Sequence, residues 1–471
     1  MKYSIVNYCD TSNALDKRLD PEYWSPEALE AENSIIGQPL EKYIESGYRV
    51  VYENTKIIDK TFQKENDLPF FIQSSDIEDC CINMDTVNCV SNTDWYRYPK
   101  GRIKKGEILV EVKGNVKKVA IVTNDIPDKS LVSGTLYKLS IKNISSFFVI
   151  CFLSCKYGQT LKNRLVCNIA TPFINKEGLY NIPIPDSSTN LQNKIENIYK
   201  TSIKLKASTK VLYKQSEELL LKELDLSNWY PKHKLSYVKN FSDVKDANRL
   251  DAEYFQPKYD ELIKSIKNYF NGYDKLKHMV KIKDINFVPK SKEEYKYIEL
   301  ANIAKSGEIN DCTVDFGKNL PTRARRIVST CDVVVSSIEG SLDSVALITS
   351  DNNNALCSTG FYVINSNSIN SETLFCLMKS EFIQMQLKRG CSGTILTAIN
   401  KDEFENIILP KINNNVQIQI KENIQEMYKL RCQSKQFLEI AKRGVEIAIE
   451  QDEDIATRWI NQELQKIGVE L

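Results

Sequence analysis

The sequence predicts a mixed α/β (α+β) fold built twice in tandem, with a long helix closing each copy. Three observations predict it. Segments of the first half recur in order in the second, short β-branched runs alternate with helically spaced apolar residues inside each half, and a heptad stripe follows each half.

The duplication is legible residue by residue. Arg18-Leu19-Asp20-Pro21-Glu22-Tyr23-Trp24-Ser25-Pro26 returns as Arg249-Leu250-Asp251-Ala252-Glu253-Tyr254-Phe255-Gln256-Pro257, six of nine residues identical. VKGNVKKVAIVTND (112–125) matches IEGSLDSVALITSD (338–351), and INKEGLYNIPIP (174–185) matches INKDEFENIILP (399–410). The offset falls from 231 residues (18 to 249) to 226 (112 to 338) and 225 (174 to 399), as small loop insertions in a duplicated unit would produce.

Within each copy, residues 107–113 and 118–123, like 332–337 and 344–349, are β-branched runs bounded by Gly, Asp and Asn, and read as strands. Residues 144–164 and 371–389 carry apolar side chains at helical spacing and each reads as one helix, the second stopped by Gly390. Asp20 and Asp251 read as N-caps of a first helical turn, with the aromatics after them packing inward.

Each copy is followed by a stretch without proline and with Gly444 as its single glycine. Leu191, Ile198, Leu205, Leu212 and Leu219 recur every seven residues in the first; Ile420, Ile424, Met427, Leu430, Leu438, Ala441, Val445 and Ala448 form a similar stripe in the second. Heptads of this kind make a coiled-coil seam, so the two helices, each about 45 Å long at 1.5 Å per residue, are expected to pair. Packing of each stripe on its own globule is the alternative. The organisation expected is a globule over 1–186, a helix over 187–227, a linker over 228–234 containing Pro231, a globule over 235–411, a helix over 412–451 and a tail helix over 452–471.

Composition narrows the function. At 471 residues the chain exceeds a single small module, and 42% hydrophobic with 27% charged residues is the balance of an ordinary globular protein. No apolar run approaches the roughly 20 residues that span a bilayer, and the start MKYSIVNYCD lacks a signal-peptide pattern, so no membrane association and a cytoplasmic location are expected. Thirteen cysteines without a CxxC pair and only two histidines, His233 and His278, give no disulfide framework, zinc ribbon or Ser-His-Asp relay. No metal site is expected. Glu111-Val112-Lys113 has the E-x-K spacing of metal-dependent nucleases, but copy two has Ser337-Ile338-Glu339 there, so no catalytic residue is assigned. Phosphate-binding glycine loops are absent, and no cofactor is expected in this chain.

The copies differ between their matching ends. Residues 27–102 and 258–326 do not align by eye, which suggests related modules recognising different things, with ordinary loop drift as the alternative. Each variable stretch ends in a basic cluster before a strand: Lys100, Arg102, Lys104 and Lys105 in copy one, Arg323, Arg325 and Arg326 in copy two. Arginine forks suit guanine edges and phosphate, and lysine suits phosphate, so these seven are the candidate DNA-binding residues. A solvated charged face is the alternative reading of either cluster alone.

Two variable globules, each followed by a long helix, with RLDAEYFQPKYDEL opening the second, resemble the specificity (S) subunits of type I restriction-modification systems. The segments 324–348 (ARRIVSTCDVVVSSIEGSLDSVALI) and 392–410 (SGTILTAINKDEFENIILP) resemble that family's strand preceded by Gly-Asp and its closing IPLP, although Cys331-Asp332 and Gly106-Glu107 depart from Gly-Asp. The resemblance implies a non-catalytic reader of double-stranded DNA. Two target-recognition domains would each bind half of a split, asymmetric site, held apart by an antiparallel helix pair. It also implies docking to modification subunits that methylate adenine with S-adenosylmethionine and to restriction subunits that use ATP and Mg. A DNA-reading subunit of another defence complex and a protein-interaction scaffold are the rival expectations.

Overall fold

The computed structural model describes residues 4–14, 17–167, 170–393 and 397–469. They form two compact units, one of residues 1–207 with 430–471 and the other of residues 208–429.

The first unit is built on a four-stranded antiparallel sheet. Strands β1 (Gly37–Pro39), β2 (Ile44–Tyr48), β3 (Phe70–Ile72), β4 (Asn88–Cys89), β5 (Ile108–Glu111), β6 (Val119–Ile121), β7 (Ser130–Val132), β8 (Leu136–Ile141) and β9 (Pro183–Pro185) divide among three sheets. Their orders are β2-β8-β5-β6, β4-β3-β7 and β1-β9. Ile108, Leu109, Val110 and Val112 are apolar because β5 is covered on both faces. Ile108, Val110 and Val112 point into one cluster with the helices, whereas Leu109 joins Ala120, Leu136, Ile72 and Val132 in another under the second sheet. The layers are therefore helices, main sheet and second sheet.

The second unit repeats this plan. Its strands are β10 (Tyr273–Lys275), β11 (Lys281–Lys283), β12 (Glu294–Ile298), β13 (Thr313–Phe316), β14 (Ala324–Ile327), β15 (Val333–Ser336), β16 (Val345–Leu347), β17 (Leu356–Ser358), β18 (Phe361–Asn365) and β19 (Ile408–Pro410). They order as β11-β18-β15-β16, β13-β12-β17-β14 and β10-β19. Val333 and Val335 again face the helix side, and Val334 faces the second sheet. The centres that do not align in sequence share a scaffold: β3 runs parallel to β7, β12 runs parallel to β17, and each first strand leads into a capped turn. In these turns the Gln73 amide donates to Asp76 and the Glu299 amide to Asn302, both at 2.8 Å.

Each expected helix over 144–164 and 371–389 is two helices, a correction with a clear cause. Ser146–Ser154 and Lys156–Arg164 are separated by Cys155, and Ser371–Lys379 and Glu381–Gly390 by Ser380, each with extended ψ near 172° and 144°. The side-chain amide of Gln159 donates to the Leu153 carbonyl at 2.8 Å, and that of Gln384 to Met378 at 2.7 Å, satisfying carbonyls that the break leaves without helical partners. At Gly158 a Cβ would lie 2.1 Å from the Phe152 carbonyl oxygen, so the chain folds back too tightly for a side chain.

Asp20 and Asp251 do not begin helices. They close turns, and the following helices start at Pro26 and Pro257. The organising residue of the repeated motif is its arginine. Arg18 pairs with Asp20 at 2.5 Å and donates to the carbonyls of Leu165 and Val166; Arg249 pairs with Asp251 at 2.7 Å and donates to those of Arg389 and Cys391. The pairing holds the Asp20 carboxyl below its usual range. Each motif tyrosine lies between two guanidinium groups, Tyr23 between Arg18 and Arg164 at 5.0 and 4.3 Å, Tyr254 between Arg249 and Arg389 at 4.3 and 4.8 Å. The motif thus caps the end of the second helix of its own copy.

The long helices span Thr189–Glu223 and Asn414–Glu450, and a tail helix spans Glu453–Lys466. They pair in antiparallel fashion inside each unit. In the first unit Leu191, Ile195 and Ile198 share a cluster with Leu438, Ala441 and Val445; in the second Leu220 shares one with Ile420, Ile424 and Met427. Leu205, Leu212 and Leu219 lie at the edge of the seam, only partly buried. A second heptad, Ile195, Ser202, Thr209 and Ser216, is buried instead, so the middle of the seam is small and polar. Gly444 makes room for the tail helix, because a Cβ there would lie 2.6 Å from Ile460.

Candidate nucleic-acid interface

The two units differ in the connection from the edge strand of the second sheet to the strand that returns beside β7 or β17. In unit one it leaves β4, and Arg102 pairs back against Leu131; in unit two it leaves β13 and returns as β14 against β17. Unit one inserts a short helix, Asn92–Arg97, where unit two has a turn over 317–323.

The helix is fixed by Ser91, whose Oγ accepts from the Asp94 amide at 3.1 Å and donates to the Asp94 carboxylate at 2.6 Å, while Thr55 donates to the same carboxylate at 2.9 Å. Around it cations rest on rings: Arg97 on Tyr98 at 5.4 Å, Lys100 on Tyr48 at 5.0 Å and Arg102 on Trp95 at 4.3 Å. Tyr52 packs against Tyr98 and Phe71, and its hydroxyl donates to the Val132 carbonyl at 2.6 Å. Burial raises the Tyr52 hydroxyl well above its usual pKa, so it is a packed donor. Tyr96 stands apart from this packing and is 75% exposed.

The seven basic residues divide by what their head groups do. Arg102 donates to the Trp95 carbonyl at 2.9 Å, Lys105 to the Ile126 carbonyl, Arg325 to Thr322 at 2.7 Å and Arg326 to Phe361 at 2.7 Å. These four are tied to backbone carbonyls of the fold, and Lys105 also pairs with Asp128 at 3.2 Å. Lys100, Lys104 and Arg323 are exposed, with Arg323 paired loosely to Glu299 at 3.2 Å. Proximity in sequence therefore gathers residues with two different duties. Tyr96 and Arg97 join the exposed set although charge alone did not single them out. The interleaving of aromatic and basic residues in WYRYPKGR (95–102) is the signal that reaches them.

The acidic residues of the Gly106-Glu107 and Cys331-Asp332 pairs are buried and structural. Glu107 accepts the Lys104 amide at 2.8 Å and pairs with Lys138 at 3.1 Å; Asp332 accepts the Ser329 amide at 2.8 Å and pairs with Lys283 at 2.7 Å. The residue before each has positive φ, 83° at Gly106 and 73° at Cys331. The E-x-K spacing does not assemble, since Glu111 is buried and accepts the Lys118 amide while Lys113 is exposed. Among the described residues no group of three His, Cys, Asp or Glu is placed to hold a metal ion, and no helix is long and apolar enough to cross a membrane.

No family model and no curated protein matches the chain. Solved structures similar to it include the S subunit of a type I restriction-modification system from M. genitalium, at 11% identity and a TM-score of 0.37, covering 93% of this chain and 98% of that one. The HsdS subunit from Thermoanaerobacter tengcongensis is similar at 12% identity and a TM-score of 0.27, covering 89% and 97%. A chain from a structure of type I R-M complex assembly and conformational transition is similar at 11% identity and a TM-score of 0.27, covering 88% and 97%.

Proposed function

We propose that the chain is the sequence-reading subunit of a type I restriction-modification complex, binding a split, asymmetric site in double-stranded DNA and directing adenine methylation or cleavage by its partners. The observation that carries this reading is the duplication itself: one strand order built twice, with different chemistry in the same connection. Such a design suits two unlike half-sites, read through base edges in the grooves with phosphate contacts fixing register. The chain is non-catalytic in this reading. S-adenosylmethionine, ATP and Mg belong to modification and restriction subunits, and the complex works in the cytoplasm.

Exposed apolar residues are duplicated as well. Ile5, Tyr8 and Leu19 in the first unit and Val238, Phe241 and Leu250 in the second are each at least 77% exposed, at matching places beside a short helix capped by Asn7 or Asn240. Matching surfaces on both units support docking of two copies of one modification subunit. Mapping adenine methylation in the host genome with and without this gene tests the proposal. A bipartite methylated motif that disappears with the gene is expected, and an unchanged methylome would overturn it.

A further inference from the structure

Building on the duplex-reading role proposed above, we infer that specificity in each unit resides in the connection between edge strand and return strand, residues 90–101 in the first and 317–323 in the second, with Tyr96 and Arg323 as its specificity-determining side chains. The surrounding scaffold shares three features in both units: parallel β3 and β7 or β12 and β17, a capped turn after the first strand, and an arginine on the returning segment, Arg102 or Arg326, donating to a backbone carbonyl. Shared parts cannot distinguish two unlike half-sites. The connection differs between the units in both shape and chemistry.

Charge fits a polyanion here. Residues 92–105 hold five cations, Arg97, Lys100, Arg102, Lys104 and Lys105, against one acid, Asp94, which is buried and hydrogen-bonded. Three of the five rest on aromatic rings, which holds them in place before any ligand arrives. Tyr96 projects from the same helix with its ring in water, a cost that contact with a base or sugar would remove. In the second unit Arg323 occupies the same connection, with its side chain 58% exposed, paired with Glu299 and beside the Tyr297 hydroxyl. A major groove admits a helix, and an arginine reads guanine as a fork, so the two connections offer different means of recognition.

The test uses the full chain purified with the partners that accompany it, and short duplexes of random sequence from which the bound fraction is sequenced. The wild type, Tyr96→Ala, Tyr96→Phe and Arg323→Ala are compared, all at exposed positions where folding is preserved. Tyr96→Ala is expected to relax preference in one half of the enriched motif by about 5- to 150-fold, and Arg323→Ala to do so in the other half. Tyr96→Phe should retain the motif if the ring makes the contact. An unchanged split motif in both alanine variants overturns the inference while leaving the duplex-reading role standing. Equal loss of binding to all sequences also overturns it, because that marks phosphate contact. A wild type that enriches no motif removes the duplex-reading role as well.

Discussion

Ser202 and Ser434 hydrogen-bond to each other's backbone where the two long helices pair in the first unit: Ser202 Oγ donates to the Ser434 carbonyl at 2.8 Å, and Ser434 Oγ donates to the Ser202 carbonyl at 2.9 Å. Both residues are buried, and their hydroxyls lie 3.1 Å apart. A reciprocal pair of this kind holds one register, since sliding either helix would leave buried polar groups without partners. Ser202→Ala and Ser434→Ala should each cost about 0.5–1.5 kcal/mol of stability. Together they should cost less than the sum of the two, as urea denaturation of the four proteins would measure.

The seam also grades the effect of inserted charge. Ile198 and Val445 are fully buried, whereas Leu205 and Leu212 are only partly so. Ile198→Asp should therefore unfold the first unit or weaken it by several kcal/mol, because an unpaired carboxylate would be enclosed. Leu205→Asp with Leu212→Asp should leave the chain folded and instead weaken its assembly with partners. Circular dichroism melts and co-purification separate the two effects, and equal melting points for all variants would show that the seam carries little of the stability.

These differences mark how far the sequence could be read. Apolar runs exposed the strands, because burial on both faces leaves no other choice of side chain. The Leu and Ile heptad exposed half of the seam, while Ser202, Thr209 and Ser216 stayed hidden because small polar residues carry no hydrophobic signal. The breaks at Cys155 and Ser380 lack proline and are sealed by glutamines that read as ordinary helix formers. Asp20 looked like a helix cap because its true partner, Arg18, is organised by carbonyls almost 150 residues away. For the candidate interface, counting charges gathered the basic residues of one connection but could not tell which cations are tied to the backbone, since that depends on packing.

Lys162 is completely buried in the first unit, where its ammonium donates to the Lys117 carbonyl at 2.9 Å. Burial lowers its pKa from 10.5 to about 7, against the opposing influence of Cys80, Glu111 and Cys155. The unfolded chain keeps this proton up to about pH 10.5, so between pH 7 and 10.5 unfolding takes up a proton and stability rises with pH. In the second unit the strand register places Ser336, rather than the Ser337 of the sequence match, at the position of Glu111, and Leu387 lies 225 residues after Lys162; both are fully buried. The fold accepts that pair. Lys162→Leu alone should destabilise by about 1–3 kcal/mol by leaving the Lys117 carbonyl without this donor, whereas Glu111→Ser with Lys162→Leu, the combination the second unit carries, should be better tolerated than the single variant. Melts from pH 7 to 10 should show the wild type gaining on the double variant as pH rises; a constant difference would mean that Lys162 stays charged throughout.

Arg325 and Arg326 provide the last test, because their sequence position and their geometry point to different roles. Three arginines within four residues read as a phosphate-binding cluster, whose loss should weaken all duplexes alike and flatten the salt dependence by about one unit for each contact removed. Their side chains instead donate to the Thr322 and Phe361 carbonyls, and Arg326 lies 5.9 Å from the Tyr362 ring. Arg326→Ala should therefore act first on stability, costing about 1.5–3 kcal/mol for a charged hydrogen bond to a partly buried carbonyl. Arg325→Ala should cost less, since its bond closes a local turn. At a temperature where both variants remain folded, the salt slope of duplex binding should match the wild type. A slope reduced by about two units in the double variant, with melting unchanged, would instead assign both guanidinium groups to the DNA backbone.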